Sequence, residues 1–162
     1  NARDDLFNAP FSTFEPTKKD ANVPNVNTIP GEDVFYFDAR VLPVYSLEDV
    51  KAEMMRIVAA KAEETGTTVK LETLQEVQAP PATPADAPVV RALARAVAVV
   101  KGKEARPFGI GGGTVAAFFR QQGLPVAVWS TVCDNAHAPN VYTHVSSIIS
   151  DAKVLARLFL GL

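Results

Sequence analysis

Among these 162 residues, the ones suited to chemistry are two histidines, one cysteine, a glycine run and a neighbouring Asp and Arg. His137 stands in Ala-His-Ala-Pro-Asn, after an apolar run (Pro125 to Ser130) and a polar segment. That spacing places it in a loop at a strand's C-terminal end, where α/β sheets put their sites. Neutral imidazole is a common zinc ligand, yet a zinc site takes three or four ligands. A metal at His137 therefore needs carboxylates such as Asp134 or donors from another chain; without them it is an ordinary loop histidine. His144 lies in a polar stretch before the last helix and suits a solvated or capping role. Cys133, four residues before His137, is either a thiol nucleophile with its base or a small apolar residue after a buried strand, and no orienting third group is evident. Gly-Ile-Gly-Gly-Gly-Thr (Gly109 to Thr114) falls between a strand and a helix start, where free backbone N–H groups bind an anion or carboxylate, or where a tight turn simply needs glycine. It lacks the Lys of a phosphate loop and the full dinucleotide glycine spacing. Arg40, two residues from Asp38, either recognises a substrate carboxylate through its planar fork or forms a surface ion pair.

Elements must hold these groups in place, and composition bounds what kind. With 48% apolar and 21% charged residues, the chain has enough core for one ordinary domain or two small ones and is not disordered. Arg91 and Arg95 interrupt its richest apolar stretch, so no membrane span is expected. A net charge of −2 without a basic run argues against nucleic acid. One cysteine allows no internal disulfide and no cysteine-metal cluster, which fits a reducing, cytoplasmic setting. The first residue is Asn rather than Met, so the chain is expected to be processed or part of something longer.

Residues 79–88 hold four prolines in ten positions and read as a boundary or crossover. Before it, Asp33 to Leu42 alternates as a strand with Phe35, Phe37, Ala39 and Val41 on one side. Pro30-Gly31 predicts a turn that pairs this strand with Val23 to Ile29. Ser46 caps a helix, with Asp49 three residues on, whose Leu47, Val50, Met54, Ile57 and Val58 share a face up to a stop at Gly66. Thr67 to Val77 alternates as a half-buried strand. After the boundary, Asp86 caps a helix to Lys101 with Val90, Leu93, Val97 and Val100 on one face. Ala105 to Ile110 leads into the glycine run, and a helix runs from Thr114 to Gln122. Pro125 to Ser130 reads as a strand buried on both faces. Ser146 or Ser147 caps a last helix facing inward with Ile148, Ile149, Ala152, Leu155 and Phe159. Helices alternating with buried strands predict an α/β layer with a parallel sheet.

Three of these segments together resemble a known family. Asn-Thr-Ile-Pro-Gly-Glu-Asp-Val-Phe-Tyr-Phe-Asp-Ala-Arg (Asn27 to Arg40) resembles the Asn-Val-Ile-Pro-Gly-Glu and Asp-x-Arg hairpin in the lid domain of co-catalytic zinc hydrolases, the family of succinyl-diaminopimelate desuccinylase, acetylornithine deacetylase, aminoacylase and glutamate carboxypeptidase. Gly-Gly-Gly-Thr (Gly111 to Thr114) is similar to its Gly-Gly-Thr loop, and Ala-His-Ala-Pro-Asn (Ala136 to Asn140) to its late His-x-Pro-Asn-Glu metal motif. The resemblance implies a partial α+β, ferredoxin-like lid over residues 1–80, a dimerisation domain in the family, then the last α/β segment of the catalytic domain over 81–162. It implies that Asn27 and Arg40 contact substrate, with Arg40 on its carboxylate, that Gly112, Gly113 and Thr114 line the cleft, and that His137 ligates one of two zinc ions, for which cobalt or manganese are substitutes. Val141 stands where the motif carries Glu, removing a carboxylate that would support the ligand. The family's His-x-Asp motif, with the bridging Asp that follows it, is not found in these residues.

The resemblance thus implies the C-terminal portion of an amidohydrolase or exopeptidase acting on N-acyl amino acids or peptides, inactive in isolation. Its expected partner is either a second copy or the missing N-terminal half. The alternative is a non-catalytic binding or self-assembling module with the same layers. Nucleotide binding at the Gly111 loop is a third reading.

Overall fold

Ser46 opens the longest helix as its spacing predicts. In the computed structural model, which describes residues 2–162, its side chain accepts the Glu48 N–H and its extended backbone turns into a helix, while Gly66 ends that helix at φ 66°. A left-handed cap of this kind suits glycine, which has no Cβ to clash. The elements in order are β1 (Phe7–Asn8), β2 (Thr13–Lys19), β3 (Phe35–Arg40), α1 (Leu47–Thr65), α2 (Pro88–Lys101), β4 (Gly109–Ile110), α3 (Ala116–Gln121) and α4 (Val145–Leu160). The fold is mixed α/β, with two short sheets: β1 parallel to β4, and β2 antiparallel to β3. No helix among the described residues is long and apolar enough to cross a membrane.

The chain divides into two bodies, one of residues 1–79 with 109–113, the other of 80–108 with 114–162. In the first, β3 pairs with Thr13–Lys19 rather than with Val23 to Ile29. Pro24, Asn25 and Asn27 hold the latter in bends and turns, and Pro cannot donate to a ladder. Pro16 is accommodated in β2 because this is an edge strand with a register shift between Pro16 and Lys18. Buried Ser12 accepts the Leu42 N–H at 3.0 Å, fixing the exit of β3. Tyr36 and Asp38 are the half-covered residues of β3, whereas Phe35 and Phe37 on its other side are exposed. On α1 the half-covered stripe is Leu47, Val50, Met54, Val58 and Ala62, so Ile57 falls outside it. Residues 67–77 form no strand. Thr67 donates its N–H to the Ala62 carbonyl of α1 at 3.1 Å, Lys51 pairs with Glu76 at 2.7 Å, and Gln78 just beyond accepts the Leu47 N–H at 2.9 Å.

The second body is built on α2 against α4, with Leu93, Ala96, Val97 and fully buried Val154 at the centre and Val100, Ala105, Ala127, Trp129 and Leu158 around them. The inward face of α2 is as its spacing predicts. Its start is not: Ala87 is the N-cap without a side-chain bond, and Pro88, whose missing N–H costs nothing in the first turn, sets the helix in place of Asp86. α3 is shorter than expected, starting after Val115. His144, rather than a serine, occupies the N-cap of α4. Pro125 to Ser130 forms no strand and, with Pro125, Val128 and Ser130 exposed, is not buried on both faces. Thr83 takes the place of a partner strand, its hydroxyl donating to the Val126 carbonyl at 2.7 Å and accepting the Val126 N–H at 3.1 Å.

Candidate functional site

In the first body, β3 delivers Arg40 to the glycine loop. The guanidinium donates from Nη1 to the Gly111 carbonyl at 3.0 Å and from Nε to the Asp38 carboxylate. Asp38 and Arg40 share one side of β3, so the carboxylate orients the fork while Gly111 holds its far end. The loop reaches this position because β4 runs beside β1. Gly109 lies against the Phe7 ring so closely that a Cβ there would strike it, which makes glycine a packing requirement at that point. At Gly112 and Gly113 a Cβ would meet nothing. Their surroundings are therefore open. Arg40 is half-exposed. Asn27 is exposed in the turn that replaces the expected hairpin strand.

At the end of the β2–β3 ladder opposite Arg40, carboxylates are tied to lysines. Lys18 pairs with Asp20 at 2.7 Å and Lys19 with Asp33 at 2.8 Å, and Tyr36 donates to Asp20 at 2.8 Å. The Lys18 and Tyr36 hydrogen bonds hold Asp20 below the usual carboxylate range, and Lys19, followed by Asn22, does the same for Asp33.

In the second body, Thr114 is half-buried just before α3. His137 sits exposed on a turn that closes on itself. Asn135 donates its backbone N–H to the Cys133 carbonyl at 2.8 Å and its side-chain amide to the Tyr142 carbonyl at 3.1 Å, and its own carbonyl accepts the Ala138 N–H at 3.1 Å. His137 and Asn140 have φ of 61° and 60°, a region that L-residues seldom enter and that gathers at functional loops. The ring of Tyr142 meets that of His144 edge-on, with centroids 5.6 Å apart. Cys133 is a free, half-buried thiol.

The family resemblance calls for metal, so the donor set matters. Among the described residues no group of three or more His, Cys, Asp or Glu converges to hold an ion. His137 offers one imidazole and Val141, exposed beside it, offers none of the carboxylate support the motif usually carries. These residues do not fit a metal centre by themselves.

Sequence reasoning also missed a charged cluster. Lys101 at the end of α2 pairs with Asp151 of α4 at 2.8 Å, and Thr131 donates its N–H and hydroxyl to the same carboxylate, each at 2.6 Å. Burial alone would raise the pKa of Asp151, but the Lys101 and Thr131 bonds outweigh it and lower the pKa to about 2. A cavity of about 400 Å³ adjoins this cluster, lined by Val97, Lys101, Ala105, Arg106, Trp129 and Thr131 among others, and none of the expected site residues lines it.

The sequence profile of peptidase family M20/M25/M40 matches residues 7–161. An uncharacterized metallohydrolase of Methanococcus maripaludis is 35% identical over 167 aligned residues, covering 92% of this chain and 39% of that protein. Another, of Methanocaldococcus jannaschii, is 34% identical over 157, covering 92% and 38%. The chain thus spans well under half the length of these relatives. No solved structure matches it. A profile that runs nearly from end to end, over a chain whose glycine loop meets Arg40 and whose His137 turn has left-handed geometry, places this chain in peptidase family M20/M25/M40.

Proposed function

We propose that this chain supplies substrate-binding residues and one metal ligand to a metal-dependent hydrolase of N-acyl amino acids or peptides, and is inactive alone. In this reading residues 1–80 are part of a ferredoxin-like lid and 81–162 the last segment of the catalytic domain. Arg40 binds the substrate carboxylate, Asn27 and Thr114 contact polar atoms of the substrate, and Gly112 and Gly113 leave its backbone room. His137 gives one imidazole to a centre, zinc in this reading, whose other donors lie outside these residues. No catalytic step is assigned to the chain itself. The observation that carries the proposal is the Arg40 guanidinium, braced by Asp38 and held to Gly111, at a loop within the family match.

The test joins the 162 residues to the unmatched part of the M. jannaschii relative and assays N-acetyl and N-succinyl amino acids and dipeptides. Hydrolysis that requires Arg40 and His137 supports the reading. Hydrolysis unaffected by both Arg40→Ala and His137→Ala, or turnover by the 162-residue chain alone, overturns it.

Val141 favours a second reading, a non-catalytic binding or self-assembling module. Calorimetric titration of the joined protein with zinc separates the two: tight binding lost in His137→Ala supports the hydrolase, and no difference between wild type and variant supports the module.

A further inference from the structure

The cluster of Lys101, Asp151 and Thr131 joins α2 to α4, and it also lies where the chain enters the segment that carries His137. Both carboxylate oxygens of Asp151 are engaged there: Oδ2 accepts the Thr131 N–H and Oδ1 its hydroxyl, each at 2.6 Å. Lys101 Nζ closes the triangle, donating to the same hydroxyl at 2.8 Å and pairing with the carboxylate at 2.8 Å. The two charged side chains are only 18 and 17% exposed, so salt screens them little. Thr131 is thus held by main chain and side chain at once, which fixes the direction in which residues 132–144 leave it. The far end of that segment runs into α4 at its N-cap, His144. Val145 and Asp151 lie on one helix, separated by roughly 9 Å of rise, so both ends of the segment are pinned close together on α4. Within it, the Asn135 side-chain amide donates to the Tyr142 carbonyl at 3.1 Å and draws the two limbs together. This is the layout of an Ω-loop, with His137 in the bend between Asn135 and Tyr142.

We infer that Asp151 is a positioning residue for His137: by stapling Thr131 to α4 it preforms the His137 loop in this chain, before any ligand or further polypeptide meets it. What the staple means for hydrolysis rests on the reading of His137 proposed above. The staple itself does not. The loop needs one, because His137 and Asn140 both hold left-handed backbones, which residues bearing a Cβ keep only where their surroundings impose it. The bond between Asn135 and Tyr142 is exposed and competes with water. The bonds to Asp151 are partly buried and charge-assisted, so they are the stronger restraint.

The test is nitrogen-15 relaxation on the metal-free 162-residue chain, read as backbone order parameters for residues 132–143. The wild-type loop should be nearly as rigid as α2 and α4, at about 0.8, and Asp151→Ala should drop it below about 0.6 while both helices stay rigid. Thr131→Val keeps the N–H bond but loses the hydroxyl, so it should fall part of the way; Thr131→Ser keeps both and should match the wild type. The φ-dependent couplings of His137 and Asn140 should leave the left-handed range in Asp151→Ala and stay there in Thr131→Ser. Lost stability alone also loosens loops, so Leu93→Ala serves as the comparison: it opens a cavity in the core between α2 and α4, away from Thr131, and should leave the loop rigid. Should Asp151→Ala fail to fold, Thr131→Val, which leaves the ion pair in place, carries the test. A loop already mobile in the wild type, one that stays rigid when either residue is changed, or one loosened equally by Leu93→Ala overturns the inference. No metal enters the measurement. A zinc titration of the joined protein unaffected by His137→Ala would therefore sink the proposed function and leave the staple standing, whereas a mobile wild-type loop beside His137-dependent zinc binding would sink the staple alone.

Discussion

The Asp38–Arg40 ion pair was legible from type and spacing alone: an arginine two positions from an aspartate on one strand face. What spacing did not show is the brace. The bond to Gly111 joins residues 71 positions apart and exists only because β4 pairs with β1. An ammonium in place of the guanidinium keeps the charge but loses the two-point grip, so in the joined protein Arg40→Lys should lower kcat/KM by about ten- to hundredfold, roughly 1.5–3 kcal/mol, mainly through KM. Steady-state kinetics on a carboxylate-bearing substrate and on its amide checks this, and the amide should show little dependence on Arg40. Asp151 gave no such signal, because its partners Lys101 and Thr131 are distant in sequence and an aspartate on an otherwise apolar helix reads as solvent-facing. Its pKa, lowered to about 2 in the folded chain, lies below the ordinary unfolded value, so its contribution is complete above about pH 5 and drains away as pH falls through 4 toward 2. The size is about 2 kcal/mol at most. Urea melts of the wild type should lose stability steeply across that window, whereas Asp151→Asn should be less stable at neutral pH and flatter below it.

Elements whose ends are written locally were readable, and those defined by a neighbour were not. α1 begins at a serine that caps and ends at a glycine that turns left-handed, both visible as residue types. Removing the cap bond by Ser46→Ala should cost about 1 kcal/mol, read as a shift of the thermal midpoint of the helix signal, with Ser46→Asp restoring it. α2 was placed by its apolar period, yet its start came from Pro88 rather than Asp86, since proline sets the first turn without needing a side-chain cap. β2 was invisible because a proline inside a polar stretch argues against a strand. It exists because an edge strand with a bulge has a side that needs no ladder bond. The last helix departs from its spacing: its most apolar stripe predicts an inward face, and the chain instead buries Val154 beside a salt-bridged aspartate.

At the scale of the molecule, the exposed aromatic and aliphatic residues of β3, α3 and α4 are the reason sequence patterning over-stated the sheet: strands such as 125–130 and 67–77 were expected from alternation or apolar runs that need a neighbour to pair with, and these residues do not supply one. The same logic predicts function. Titrated with zinc or cobalt, the 162-residue chain by itself should show no amide hydrolysis above background, measured by amine release, because one imidazole leaves an ion mostly hydrated. The bond pair at Thr83 carries a consequence of another kind. A single hydroxyl answers both the amide and the carbonyl of Val126, acting as a one-residue dummy strand that occupies the docking position of any incoming backbone. Thr83→Val keeps the shape and withdraws the decoy, leaving both backbone groups of Val126 unanswered, so this variant should seed ordered intermolecular stacking that thioflavin fluorescence detects and the parent protein resists.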